Sequence, residues 1–301
     1  RRSGRKTRRS FPGKVFRPGR SPRHLFGSLS RAYDEREIIV EEEVMKQIAG
    51  YVHQAEKDRR EISKVTERFH PGLTIEEAYE IQEEIIRQKL KDGHKIVGPK
   101  IGITDEEKMK ELQIDEPVYG FLFDYMIVRD GGSISLSEYI HPKIEPEIGL
   151  VLERDLEGAD VTAADVIKAT GSVFPAIEII DSRYKDFQFT VPDLIADNTA
   201  SRGAVFGTDA TEPHLLKNHV YSVTVAVNGE IREQGKEAAR LKQAATSVAR
   251  LVRMLHKKGE KVSAGQPVLT GGITEPLDVH AGDYVHVKIG ELGDVSFFVK
   301  E

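Results

Sequence analysis

The chain contains no cysteine, and this absence excludes disulfide bonds, cysteine nucleophiles and zinc sites built on thiolates. It also lacks any apolar run near the roughly 20 residues that a membrane helix needs, and no secretory region follows the N-terminus. No P-loop, HExxH, GxSxG or dinucleotide-binding glycine motif is present. We therefore expect a cytoplasmic protein without a membrane partner, and covalent acyl catalysis is not indicated.

Charge is unevenly distributed along the 301 residues. The overall charge of −5 argues against general nucleic-acid binding, and the 39% hydrophobic content is typical of a soluble globular protein. Residues 1–31 carry eleven of the 44 basic side chains and no acidic one, which leaves 33 basic against 49 acidic side chains beyond them. Residues 1–31 are therefore strongly basic, whereas the rest of the chain is acidic.

Residues 1–31 are rich in Arg, Ser, Pro and Gly, and such a composition cannot bury enough apolar surface to order itself. An arm for nucleic acid, a membrane surface or targeting is one interpretation. We expect instead a disordered or non-native extension, with Met45 as a plausible native start. The pattern then predicts a helical N-terminal part over 32–93 and a β-rich core over 94–301.

Several local signals mark the elements of this core and its helical approach. Thr74 followed by Glu77 predicts a capping box at a helix start. Thr162 is a plausible N-cap, and Asn228-Gly229 is typical of a β-hairpin turn. Apolar residues at helical spacing predict a helix over 238–256.

Glu145 and Glu147 lie two residues apart in an alternating apolar segment, so a β-strand places both carboxylates on one face. A solvated outer face would explain such a pair. Glu178 changes this interpretation, because it lies within an isoleucine-rich strand where a lone carboxylate is costly. Three acids on apolar strands indicate a hard divalent cation such as Mg²⁺ or Mn²⁺.

Two further features suit chemistry on a small anionic substrate. Lys100 lies in an apolar strand between Gly98 and Gly102, which permit close backbone approach, although an outward-reaching surface lysine would also fit. The glycine pair 271–272 could present free N–H groups to a carboxylate or oxyanion. Together with the three acids, these features favour metal-assisted chemistry.

At this point the sequence resembles a known family, the hydratases and decarboxylases of catechol meta-cleavage pathways within the fumarylacetoacetate hydrolase superfamily. The resemblance covers about Met45 to Glu301 and is strongest to the decarboxylase branch. Six ordered segments carry it: KIVGPKIGIT (95–104), PVYGFLFDY (117–125), IHPKIEPEI (140–148), EIIDSRY (178–184), ADN (196–198) and LTGGI (269–273).

The resemblance implies an α+β fold with a mixed β-roll or barrel-like core and a helical N-terminal part. It implies that Glu145, Glu147 and Glu178 hold one Mg²⁺ or Mn²⁺. Lys100 and Asp124 would be catalytic residues in the pocket. The expected substrate contacts are Ser182, Asn198, Thr270, Gly271, Tyr119 and Tyr184.

The implied reaction is decarboxylation of 4-oxalocrotonate (2-oxo-3-hexenedioate), a small 2-oxo dicarboxylate, to 2-oxopent-4-enoate. Lys100 is the candidate for stabilising the enolate charge or moving a proton, and an aromatic lining that includes Phe187 would help the remote carboxylate shed water. Hydration of 2-oxopent-4-enoate (vinylpyruvate) is the first alternative. An acylpyruvate hydrolase would need a base to activate water, and His70 is its candidate. A non-catalytic partner of the hydratase is the last.

Residues 235–244 depart from the resemblance, because Arg and Lys stand where the family has a Gly-rich, apolar segment. This change could disturb a wall near the site. We further expect a homo-oligomer, and association with the vinylpyruvate hydratase as the partner assembly.

Overall fold

Three helices precede the first strand in the computed structural model, which describes residues 35–215 and 220–301. The expected extension over 1–31 lies outside the described residues. The helices are α1 (Glu35–Asp58), α2 (Val65–Arg68) and α3 (Ile75–Lys91). Helix α3 begins with the predicted capping box: Thr74 Oγ1 accepts from Glu77 N at 3.2 Å, and the Glu77 carboxylate accepts from Thr74 N at 2.7 Å.

Thirteen strands follow in the described part of the chain. They are β1 (Ile96–Gly102), β2 (Val118–Phe123), β3 (Ile127–Arg129), β4 (Gly132–Ser135), β5 (Lys143–Leu152), β6 (Thr170–Ile180), β7 (Ser201–Phe206), β8 (Val220–Val227), β9 (Glu230–Arg240), β10 (Pro267–Leu269), β11 (Leu277–Asp278), β12 (Tyr284–Ile289) and β13 (Gly293–Lys300). The remaining helices are α4 (Glu106–Glu111), α5 (Ala163–Ala169), α6 (Val191–Ala196) and α7 (Leu241–Lys257).

The strands form two sheets. The eight-stranded sheet has the order β2-β1-β10-β5-β6-β7-β3, with β11 added beside β5. The five-stranded sheet has the order β4-β13-β12-β8-β9. Parallel and antiparallel pairs occur in both, so the predicted mixed α+β fold with a barrel-like core is confirmed.

The long antiparallel pair β5–β6 positions the candidate site. A large buried cluster contains apolar side chains from both sheets and from α1, α3, α5 and α7. A smaller one includes Ala176, Ala204 and Leu269, which lie directly across from Glu147, Glu178 and Lys100 in the sheet. Since directly opposed residues share a sheet face, the two acids and the lysine have apolar neighbours on that face.

The predicted helix over 238–256 begins three residues later than expected. Residues Tyr221 and Val220 pair with Ala239 and Arg240, so the β8–β9 hairpin continues to the start of α7. Cross-strand hydrogen bonds therefore outweigh the helical pattern at this end. The hairpin turn itself is at Asn228-Gly229 as predicted, with both residues at positive φ. In the described residues, no helix is both long and apolar enough to cross a membrane.

Candidate active site and metal centre

Three glutamates converge on adjacent strands. Glu145 of β5 lies directly opposite Glu178 of β6, and Glu147 follows two residues along the same face of β5. Each offers a carboxylate oxygen, and these three oxygens lie within 4.8 Å of one another. The sheet register therefore assembles an all-oxygen donor set from residues 33 positions apart in the chain.

Burial makes this cluster unfavourable for charge without a cation. Glu147 is fully buried and Glu178 is 1% exposed. Burial, together with the neighbouring carboxylate of Glu178, raises the pKa of Glu147 well above its ordinary value and that of Glu145 to about 7. Three ionised carboxylates without a counter-ion are therefore unfavourable here, and the cluster would bind either protons or a cation.

The hydrogen bonds of Glu147 test whether the residues fit a metal ion. Its Oε2 accepts from Gly271 N at 2.8 Å, whereas the buried Oε1 accepts no hydrogen bond from the described part of the protein. A buried carboxylate oxygen without a donor needs a partner. Three carboxylates suit a hard divalent ion such as Mg²⁺, which takes oxygen ligands and retains waters. The residues fit such an ion.

Lys100 of β1 reaches the same cluster from the side. Its Nζ lies 3.1 Å from Oε1 of Glu178, although the two atoms are not aligned for a hydrogen bond, and it donates to Thr199 O at 3.0 Å. The side chain is 4% exposed. The predicted close approach occurs at Gly98, where a Cβ would lie 1.9 Å from Pro267 O. The glycine therefore lets β1 pack against the segment that carries Thr270.

A cavity of about 740 Å³ opens above these groups. Of the predicted site residues, four line it: Lys100, Glu145, Thr270 and Gly271. Gly271 has φ of 108°, and its N–H donates to Glu147, so the first glycine of the pair binds a protein carboxylate. That N–H therefore supports Glu147, a candidate metal ligand, and the substrate contact expected at Gly271 stays a prediction.

Other predicted residues do not reach this cavity. Asp124 follows the last residue of β2, is 44% exposed at its side chain and lies 3.4 Å from Nδ1 of His94. It is absent from the cavity wall, so its catalytic role stays a prediction that the cavity lining does not support. The strand ends at Phe123, and the chain turns away there. His70, the hydrolase candidate, pairs with Glu77 at 3.7 Å and is also absent from the wall.

Three predicted substrate contacts are buried beneath or beside the site. Tyr119 stacks on Tyr79 with ring centroids 4.5 Å apart. Ser182 Oγ accepts from Tyr184 N at 3.1 Å, and both residues are fully buried. None of the three lines the cavity. Their predicted substrate contacts stay predictions, because the family segments that contain them give no signal to separate packing from contact.

Asn198 lies in a left-handed turn that supports Lys100. Its side chain accepts from Phe121 N and donates to Phe121 O, both at 2.9 Å, so the amide pairs with β2 like a neighbouring strand. Residues 198–200 all have φ between 49° and 56°, and a Cβ at Gly120 would lie 2.7 Å from Asn198 O. The turn directs Thr199 O at the lysine. The Asn198 amide is occupied by Phe121, and its predicted substrate contact stays a prediction.

We expect Asn198→Ala to lower the free energy of unfolding by about 2–4 kcal/mol, because it leaves the N–H and C=O of Phe121 unsatisfied in a partly buried place. Urea unfolding of the purified variant measures this. Asn198→Asp keeps the acceptor for Phe121 N but loses the donor to Phe121 O. Its loss of stability should therefore be smaller than that of alanine, unless burial of the carboxylate adds its own cost. A loss below about 0.5 kcal/mol for alanine would contradict the role.

Some cavity residues were not predicted as part of the site. Lys143, Phe189 and Lys108 line it, as do Ala239, Arg240, Gln243, Ala244 and Ser247 from the end of β9 and the first turns of α7. The last set includes part of segment 235–244, so the departure from the family pattern falls on the cavity wall. Lys143 had a usable signal, because it precedes Glu145 by two residues and shares its strand face.

Comparison with known proteins agrees with this geometry. Residues 76–300 match the family described as fumarylacetoacetate (FAA) hydrolase C-terminal. The chain belongs to this family, which confirms the predicted resemblance.

Relatives of high similarity include decarboxylases and hydratases. The chain is 40% identical over 249 residues to a 4-oxalocrotonate decarboxylase of Pseudomonas sp. (strain CF600), covering 83% of this chain and 94% of the relative. It is 37% identical over 255 residues to a 2-oxo-hept-4-ene-1,7-dioate hydratase of Escherichia coli, covering 83% and 95%. A solved 4-oxalocrotonate decarboxylase from Pseudomonas putida G7, complexed with magnesium and adipate, has a TM-score of 0.82 and 39% identity, covering 86% of this chain and 98% of that one.

Proposed function

We propose that this protein decarboxylates 4-oxalocrotonate to 2-oxopent-4-enoate and CO₂ with the help of a divalent cation. The observation that carries the proposal is the buried glutamate cluster, with Lys100 beside it, at the floor of a cavity. The relatives named decarboxylase, at about 40% identity over most of the chain, support it.

Glu145, Glu147 and Glu178 would hold the cation, Mg²⁺ or Mn²⁺. When bound, a divalent ion supplies Lewis-acid stabilisation of negative charge on an oxygen ligand. The relatives' structures complexed with magnesium or calcium support a divalent ion. The Gly271 N–H orients Glu147 for this role.

The reaction releases CO₂ from one end of the substrate and requires the protein to stabilise the negative charge that develops on the 2-oxo oxygen at the other end. As the C5–C6 bond breaks, its electron pair shifts through the conjugated alkene onto the 2-oxo oxygen, leaving a dienolate. Lys100, whose amine is buried and close to the cluster, would stabilise that oxygen or give it a proton. Phe187 and Phe189 line the cavity and would exclude water from the carboxylate that leaves.

A hydratase is the second candidate, because a dicarboxylate hydratase is 37% identical to this chain. The same metal and lysine would then serve addition of water to a 2-oxo alkenoate. A hydrolase is less well supported, since His70 contacts Glu77 of α3 and does not line the cavity.

Assays of the purified protein with Mg²⁺ separate the two candidates. On 4-oxalocrotonate we expect release of one CO₂ per substrate, and on 2-oxopent-4-enoate we expect no conversion to a 4-hydroxy-2-oxo acid. EDTA should abolish turnover, and Mg²⁺ or Mn²⁺ should restore it. Hydration without CO₂ release would overturn the decarboxylase assignment in favour of the hydratase.

We place this reaction in the cytoplasmic meta-cleavage degradation of catechols, where the product is the substrate of vinylpyruvate hydratase. We also propose a homo-oligomer and association with that hydratase. The decarboxylase and hydratase names among the relatives support the pathway. Native mass spectrometry of the protein alone and with the hydratase tests both assemblies.

A further inference from the structure

Lys143 begins the same strand face that carries two of the glutamates. Residues 143, 145 and 147 of β5 are at i, i+2 and i+4, so all three side chains leave the same side of the strand. Lys143 lines the cavity that contains Glu145. Two residues of a strand advance by about 6.8 Å, so the ammonium is displaced from the cluster along the cavity.

The surroundings of Lys143 suit a carboxylate. Its Nζ lies 5.3 Å from the ring centroid of Phe187, which also lines the cavity. Its ion-pair partner is Asp278, at 3.0 Å, whose side chain is 66% exposed. Such an exposed pair contributes little free energy, so a substrate carboxylate can replace Asp278 or share the ammonium with it.

The backbone beside this position is strained. Asp186 and Phe187 both have positive φ, at 55° and 58°, which is costly for residues other than glycine. Glu61 accepts from Asp186 N at 3.2 Å, and Ile62 O accepts from Lys185 N at 3.0 Å. These contacts hold the Phe187 ring at the cavity wall, where it meets Lys143. Strain that neighbouring contacts maintain is typical of functional sites.

Other cations around the cavity fit this role less well. Lys100 already contacts Glu178 and Thr199. Lys108 projects from the six-residue helix α4, is 50% exposed and lies 3.9 Å from Glu275. Arg240 lines the cavity from the end of β9 and is exposed. Only Lys143 among these four shares the strand face of the glutamates and contacts an aromatic ring of the wall.

We propose that Lys143 binds the far carboxylate of a 2-oxo dicarboxylate whose 2-oxo acid end lies at the glutamate cluster. This rests on the proposed function and deepens it, because it makes Lys143 the residue that selects dicarboxylates over monocarboxylates. The spacing agrees: a six-carbon chain places its second carboxylate about two strand residues from the first end.

The contact forms with the substrate before CO₂ leaves, so it stabilises the bound ground state. An interaction of this kind lowers KM and does not raise kcat. Lys143→Met should therefore raise the KM for 4-oxalocrotonate by roughly 10- to 100-fold, the range for loss of a charged hydrogen bond, while kcat does not fall. A fall in kcat with unchanged KM would overturn the assignment.

Binding of two inert ligands of equal length gives the sharper test. Metal-loaded wild type, Lys143→Met and the control Lys108→Met are titrated by calorimetry with 2-oxohexanedioate and 2-oxohexanoate, which differ only in the far carboxylate. Wild type should bind the diacid at least about 10-fold more tightly. Lys143→Met should abolish this preference, and Lys108→Met should retain it.

The outcomes separate this proposal from the proposed function. If neither ligand binds the metal-loaded wild type, the 2-oxo acid function itself fails. If both bind equally well, or if the preference survives in Lys143→Met or is lost in Lys108→Met, the role of Lys143 is overturned while the metal site stands.

Discussion

Glu147→Gln is expected to weaken Mg²⁺ binding by more than about 100-fold and to remove turnover. Loss of partners that only orient ligands already costs about 10- to 100-fold in metal affinity, and Glu147 is itself a proposed ligand whose Oε1 has no other partner in the described structure. Isothermal titration with Mg²⁺ and the CO₂ assay measure the two effects. Unchanged affinity would contradict the metal site.

The stability of the metal-free variant provides a control. Burial and nearby carboxylates raise the pKa of Glu147 well above its ordinary value and that of Glu145 to about 7 in the folded protein. The cluster thus favours folding most at acidic pH, and this contribution is lost as pH rises through 7. In EDTA at pH 8, Glu147→Gln should therefore be more stable than wild type, and the difference should shrink near pH 5. Lower stability at pH 8 would indicate a structural role.

Lys100→Met is expected to lower kcat by roughly 100- to 10,000-fold, the range for loss of a positioned proton donor or acceptor. The amine is buried beside Glu178 and Thr199, so its removal takes a charged donor away from the glutamate cluster. Mg²⁺ affinity should not fall, because removing a cation leaves the cluster more negative. Kinetics and titration on one preparation test both statements.

Lys100→Arg is the matched control, since it keeps the positive charge but holds its proton at all working pH values. If arginine restores most of kcat, the lysine acts by charge alone. If methionine and arginine are equally impaired, proton movement is the role. Metal binding that is lost in the methionine variant would show that Lys100 supports the ligands and would contradict the catalytic assignment.

Local patterns along the chain were sufficient for several elements. The capping box at Thr74 and the hairpin at Asn228-Gly229 depend on contacts within four residues, so the sequence predicts them directly. The shared face of Glu145 and Glu147 follows from the two-residue period of a strand. The same period would have indicated Lys143, since it shares their face.

Contacts between distant segments could not be read in this way. That Glu178 opposes Glu145 depends on the register of β5 with β6, and Lys100 reaches Glu178 because β10 separates β1 from β5. Asp124 follows an apolar strand pattern like those of the candidate site residues that line the cavity, but β2 ends at Phe123, one residue before it. Only the path of the chain beyond that end removes it from the cavity.

The sequence by itself therefore determined the family and the fold class, through six segments that resemble a known family. It also supplied the residue types of the proposed metal site, because the two-residue period of a strand is a local property of the chain. The tertiary structure alone decided that Asn198 supports Thr199 and Lys100 through β2, and that Gly271 holds Glu147. Each of those hydrogen bonds joins residues more than 70 positions apart, and their geometry depends on how the sheet curls and which strands become neighbours.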